Sequence, residues 1–342
     1  MRNSLIKFFL PVLFIILSGC ICSYLSRKYP ESFALEVTNG IDIERKDASV
    51  FVNITMIKEK HPDFNPGAFV IMGDGKELSS QMANIAIGDK GEEIVFLADF
   101  SPKETKKLTV RYAKQGEKNR EYLKRTQGKP SIKSGGKWAG NKYEGGTFKD
   151  TNYLKAPVEH TDHSEFIRFE GPGWESDKVG YRLYLDWRNG TDIFGKKVTD
   201  SILQNVGQDG FESYHEMSPW GMDILKVGDA FGIGAVGIWE NGKVERVSKT
   251  DGLICEILAD GPVHSLLRIK YLGWKTNSGK YDLTSRLSIT AGSRLTKHNI
   301  IVDKDIDNLC TGIVKNQESV ILKSEEKKTV GLIWPRKEIK VL

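Results

Sequence analysis

Tyr214 and His215 set a phenol beside an imidazole, and Trp220, Asp223 and Lys226 follow within one further strand-and-loop length. An imidazole near its ordinary pKa exchanges protons at neutral pH, and a neighbouring tyrosine can act as partner acid or base where a cation lowers its pKa. Consecutive residues on a regular strand point to opposite faces, so both can serve one site only if the backbone turns. Glu216-Met217-Ser218-Pro219 supplies a turn sequence. The competing reading makes Trp220, Met222, Ile224 and Leu225 ordinary core and Tyr214-His215 a capped strand end.

A second segment, His163 to Lys197, carries alternating charges among aromatics: Arg168, Glu170, Glu175, Asp177, Arg182, Asp186, Arg188 and Asp192. On strands facing a cleft, Arg168 or Arg182 would hold a carboxylate or sulfate through a two-pronged fork, with ion pairs inside the protein as the competing use. Trp174 and Trp220 offer flat apolar faces and Asp223 and Lys226 polar contacts, which completes a candidate binding set. His160, Asp162 and His163 form HTDH. A third well-placed metal ligand is not evident there, so His163 is read as a further proton-transfer candidate and no metal is expected.

No GxSxG, Walker loop, GxGxxG or HExxH is present, and Gly228, Gly232, Gly234 and Gly237 lack a following GK[ST]. Neither a nucleotide nor any other cofactor is expected. The 342 residues carry a formal net charge of +5, and removing Arg2 and Lys7 with a leader makes it milder still. That is no footprint for nucleic acid.

Arg2 and Lys7, the apolar run Phe8 to Leu17 and the tetrapeptide Leu17-Ser18-Gly19-Cys20 read as a bacterial lipoprotein signal, too short to span a membrane permanently. The expectation is a signal peptide over 1–19, a lipidated Cys20, a tether over 20–32 and a β-sandwich catalytic domain over 33–342. The membrane is then touched through the lipid only, on an outer membrane and facing the periplasm. Cys255 and Cys310 remain in the folded part, where a disulfide is permitted and not required.

From Phe33 onward, period-two runs such as ALEVTNG, SVFVNITMI, GAFVIMGDGKEL and EEIVFLADF alternate with turn residues. Asn39-Gly40, Asp74-Gly75 and Asn241-Gly242 are hairpin signals. Lys114 to Gly146 reads as a long surface excursion, helical over 116–129 and broken by glycines over 131–146, whose Trp138 and Tyr143 could meet a sugar. EFIRFEG, VGYRLYLDWRN and LICEILADGPVHSLLRIKYLGW resume the strands. The fold class is all-β, a large antiparallel β-sandwich with long loops, with a closed barrel as the alternative.

The runs FIRFEGPGWESDKVGYRLYLDWRN, DIFGKK and YHEMSPWGMDILKVGDAFGIG resemble a family of exported Bacteroidetes proteins long labelled only as a domain of unknown function. They occur in polysaccharide-utilisation loci, and a member is described as an ulvan oligosaccharide dehydratase. The resemblance implies an enzyme acting on uronic-acid-containing oligosaccharides, removing water across C4 and C5 of a terminal uronic acid. His215, Tyr214 and His163 would then supply the acid and base, and Arg168 or Arg182 would neutralise the carboxylate. LSITAGSRLT, Leu287 to Thr296, is similar to a strand pair of mutarotase-like supersandwiches. Members of the family usually run beyond the position of Leu342, so a shortened copy is expected.

Two rival functions remain at this point. One is a glycan-binding lipoprotein using Trp138, Trp174, Trp187 and Trp220 as platforms; the other is a glycoside hydrolase working with Glu175 and Asp223, which needs carboxyls about 5 to 9.5 Å apart.

Overall fold

The computed structural model describes residues 24–83, 92–117, 120–225, 227–315, 320–323 and 330–333. Cys20, Lys226 and the leader lie outside the described residues. Among those described, no helix is long and apolar enough to cross a membrane.

The architecture is all-β: antiparallel sheets packed face to face, with no barrel among the described residues. A smaller sandwich comes first. Strands β1 (Glu31–Thr38), β2 (Arg45–Asn53), β3 (Phe69–Gly73), β4 (Lys76–Leu78), β5 (Ser80–Ala83), β6 (Glu93–Phe100) and β7 (Thr105–Tyr112) form one sheet in the order β1-β7-β3-β4 and another in the order β2-β6-β5. Ile71, Ile94, Phe96, Leu108 and Val110 are buried between them.

Asp74 and Gly75 turn β3 into β4 with φ of 50° and 74°, as the Asp-Gly signal requires. Asn39-Gly40 does something else. The Asn39 side chain donates to the carbonyls of Ile43 (2.8 Å) and Ser101 (2.9 Å), fixing a crossover from one sheet to the other instead of a hairpin. The run SVFVNITMI is also cut at Asn53, whose Oδ1 accepts from the amides of Thr55 and Met56 and caps helix α1 (Ile54–Lys60).

The larger sandwich follows. Strand β8 (Thr126–Lys129) comes out of residues 120–125, which are not helical. The expected surface excursion is a hairpin arm, β9 (Ser131–Ala139) against β10 (Lys142–Asp150). Its glycines hid the alternation: Gly135, Gly140, Gly145 and Gly146 have positive φ, where a side chain would be strained.

Next come β11 (Tyr153–Lys155), β12 (Gly173–Ser176), β13 (Gly180–Leu183), β14 (Thr191–Lys196) and β15 (Gly221–Asp223), then β16 (Ile233–Glu240), β17 (Lys243–Arg246), β18 (Gly252–Asp260), β19 (His264–Lys275), β20 (Lys280–Thr290), β21 (Thr296–Val302) and β22 (Leu309–Ile313). The sheet β15-β14-β13-β12-β8 packs on β11-β18-β19-β20-β21 through Trp174, Tyr181, Leu183, Leu267, Ile269 and Leu287. The sheet β17-β16-β22 adds Val236 and Ile238 to that core. Asn241 and Gly242, with φ of 50° and 75°, close the β16–β17 hairpin.

A third cluster joins the sandwiches. Ala83, Val95 and Leu97 of the first meet Ala259, Val263 and Leu266 of the second, and Gln81 Oε1 accepts from the amides of Val263 and His264. Cys255 and Cys310 are free thiols.

Candidate functional site

Register decides which side chains meet. In the β13–β14 pair Arg182 lies opposite Asp192 and Gly180 opposite Phe194, and β15 brings Asp223 opposite Phe194. Since strand residues alternate between faces, Tyr181 and Leu183 go to the core while Arg182 and its neighbours take the outer face.

Residues 197–220 cover that face. Phe169, Phe194, Ile202, Leu203, Val206 and Tyr214 are buried together beneath them. Glu175 clips the cover to the sheet, accepting from the amides of Ile202 (2.8 Å) and Leu203 (3.0 Å), from Lys196 Nζ (2.6 Å) and from Gln127 Nε2.

Arg182 is the hub, 1% exposed. Its Nη1 donates to the Tyr214 hydroxyl (2.7 Å); its Nη2 donates to the Tyr184 hydroxyl (2.8 Å), Asp192 Oδ2 (2.7 Å) and Asp223 Oδ2 (3.2 Å). Burial opposes its charge, but Tyr214, Asp192, Tyr184 and Asp223 outweigh burial and keep it protonated. Asp223 suffers the opposite balance: burial, then the charge of Asp192, pushes its carboxyl up to about 7.

His215 Nε2 stands 3.5 Å from Asp223 Oδ2 with its side chain 48% exposed. Burial first, then the Arg182 charge, holds its imidazole below the ordinary histidine range. These groups open on a cavity of about 520 Å³ lined by Tyr184, Asp192, Glu212, His215 and Asp223, with Ile224 on its apolar side. Near neutral pH it therefore combines an imidazole able to accept a proton with a carboxyl able to give one.

The network continues behind Tyr184, whose ring lies between the guanidinium groups of Arg182 (4.6 Å) and Arg188 (4.0 Å). Arg188 reaches Asp186 (3.0 Å from Nε to Oδ1), Glu170 (2.8 Å) and Asp162 (2.6 Å), and His163 Nδ1 lies 2.6 Å from Asp162 Oδ1. Ligand atoms of Asp162, His163 and Glu170 fall within 4.8 Å of one another. Among the described residues those three are the ones that could hold a metal, and Arg188 already meets both carboxylates. The backbone here is strained: His163, Glu165, Phe169 and Glu170 have φ of 55°, 61°, 41° and 68°. EFIRFEG is accordingly no strand; a 3-10 turn, Arg168–Glu170, replaces it.

Of the residues expected to bind or react, His215 and Asp223 share the cavity. Tyr214 lies beneath them, 2% exposed, in a 3-10 turn Ser213–His215 that sets its ring 4.6 Å from the imidazole. The backbone turns at this pair, one step before the expected Glu216–Pro219. Burial raises the Tyr214 phenol to about 12. His163 belongs to the Arg188 side, its ring 4.8 Å from that of Phe211.

Other expectations are corrected. Trp174 is fully buried, stacks on Tyr181 at 5.6 Å and donates Nε1–H to Thr296, so it has no face for a sugar. Arg182 is already held by its own carboxylates. Arg168 is buried away from the cavity, donating to the carbonyl of Gln204 at 2.9 Å. Trp220 is half-buried, edge-on to Phe194, and Trp138 packs with Tyr143 and Phe166. Glu175 is saturated by donors, which removes one half of the carboxylate pair a hydrolase would need. Sequence reasoning missed Tyr184 and Glu212; the alternation that puts Tyr184 on the face of Arg182 was the available signal.

A family model described as a domain of unknown function, DUF4861, matches residues 37–339. The chain belongs to that family. The DUF4861 match takes in every residue of the cavity and both sandwiches apart from most of β1. No curated protein and no solved structure matches the chain.

Proposed function

We propose that this DUF4861 protein is a carbon–oxygen lyase that removes water across C4 and C5 of the non-reducing-end uronic acid of polysaccharide-derived oligosaccharides. The observation that carries the reading is the His215–Asp223 pair facing one cavity. The neutral imidazole takes the C5 proton. Asp223, protonated below about 7, gives its proton to the C4 hydroxyl, which leaves as water while the C4=C5 double bond forms.

The substrate carboxylate must be relieved of charge for C5 to be acidic. A protonated Asp223 leaves Arg182 shared among fewer anions, so the field of the buried guanidinium reaches a carboxylate in the cavity from behind Asp223, without contact. Tyr214 orients Arg182 and does not touch the sugar. The sequence likeness to exported proteins of polysaccharide-utilisation loci agrees with this substrate class. On the same reading the protein is exported, anchored by lipid at Cys20 on the outer membrane and facing the periplasm.

The test is ultraviolet absorbance of the conjugated unsaturated uronate during incubation with saturated uronic-acid-terminated oligosaccharides. A rise is expected, reduced at least about 100-fold by His215→Ala. A flat trace with measurable binding would leave a glycan-binding lipoprotein in its place.

A further inference from the structure

A second cavity lies on the other side of the 207–215 turn. It measures about 270 Å³ and is walled by Phe148 and Lys133 of the hairpin arm, Phe169 beneath, and Gln208, Asp209 and Phe211 of the turn. Phe211 and Glu212 are consecutive, yet Phe211 lines this cavity while Glu212 lines the one holding His215 and Asp223. A single stretch of backbone thus forms the partition between them.

The second cavity combines aromatic surface with fixed polar groups. Phe148 and Phe211 are half-buried. The Lys133 ammonium lies 5.6 Å from the Phe148 ring centroid and 3.0 Å from Glu165, and Asp209 is steadied by Ser213 Oγ at 2.5 Å. Apolar ring faces accept the C–H face of a pyranose, and the surrounding charges can take hydrogen bonds from or give them to its hydroxyls. The turn itself has Gly207 and Gly210 at φ of 68° and 113°, and nothing lies within 4 Å of where a Gly210 side chain would begin. A side chain begun at Gly210 would enter open space.

We infer that the cavity walled by Phe148, Lys133 and Phe211 holds the second sugar of an oligosaccharide whose terminal uronic acid sits against His215 and Asp223. The inference rests on the carbohydrate reading of the first cavity and adds where the second sugar sits. The glycosidic bond crosses the partition at Phe211-Glu212. Length is then selected by the second cavity and chemistry by the first.

The experiment is calorimetric titration of the whole protein with glucuronic acid and with a glucuronic-acid-terminated tetrasaccharide. Wild type should bind the tetrasaccharide about tenfold or more tighter than the monosaccharide. Phe148→Ala and Phe211→Ala should each bring that ratio towards one. Phe148 sits on the exposed arm, so its variant reports on the cavity even if Phe211→Ala disturbs His163. An unchanged ratio in both variants, equal affinities in wild type, or no binding of either sugar would overturn the inference. The dehydratase reading fails separately: length-dependent binding with no absorbance rise would keep the subsite and remove the reaction.

Discussion

Asp223 Oδ2 is shared between a guanidinium and an imidazole, lying 3.2 Å from Arg182 Nη2 and 3.5 Å from His215 Nε2. This sharing predicts a pH profile. Asp223 loses its proton as pH rises through about 7, so the acid limb of the reaction is lost above neutrality. His215, held below its ordinary range by burial and the Arg182 charge, becomes a free base at lower pH than an ordinary histidine. Turnover measured by absorbance should peak between the two. Asp223→Asn should lower it by about 100-fold or more; a rate that keeps climbing well above neutral pH would exclude Asp223 as the acid.

Tyr214→Phe keeps the ring in its cluster but removes the acceptor of the Arg182 Nη1 hydrogen bond. A buried donor left without its partner costs about 1–3 kcal/mol. Urea unfolding should show that loss, with turnover falling less than in His215→Ala. The reverse ranking of the two variants would make Tyr214 a reacting group.

Two tryptophans should behave oppositely. Trp174→Ala empties the middle of the core and should cost about 3–5 kcal/mol. Trp187, 45% exposed with Arg246 over its ring at 5.5 Å, should tolerate alanine within about 0.5 kcal/mol. Denaturation midpoints of the two variants decide it.

His264 gives a stability prediction independent of function. It is fully buried where the two sandwiches meet, edge-on to Phe51, and burial lowers its imidazole to about 4. Unfolded chains take up that proton below about 6.5 and the folded chain does not until about 4. Stability is therefore intact above about 6.5 and falls as pH drops towards 4, by roughly 3 kcal/mol in total. His264→Leu should flatten the variant's own stability curve between about pH 4 and 6.5, so that its difference from wild type slopes there; parallel curves would remove His264 as the cause.

Much of the fold was legible because its signals are local. Asp74-Gly75 and Asn241-Gly242 need positive φ at both positions and short-chain residues supply it. Asn39-Gly40 carries the same letters, yet its use depended on the distant carbonyl of Ser101, which no local pattern reveals. The site was legible in its members and not in its pairing. Arg182, Asp192 and Asp223 stood out as charges, but the alternative of a ligand clamp against an internal ion pair is settled by cross-strand register. Trp174 looked like a platform because nothing local says which face of β12 is covered. Burial of that strand on both sides comes from a sheet whose strands are far away in sequence on one face and from residues 197–220 on the other.

The Glu175 clip divides the cover over the sheet into a foot and a crown. The foot, at Ile202 and Leu203, is riveted to β12 by one carboxylate. The crown, residues 207–215, carries Phe211 towards one cavity and Glu212 and His215 towards the other. With Tyr214 kept under Arg182, the 207–212 part of the crown can be rewritten without disturbing the strands below, so ligand preference and structural integrity reside in separable pieces of the chain. Grafting a different 207–212 onto this scaffold is the natural way to redirect it to another glycan while the proton-transfer pair stays where it is.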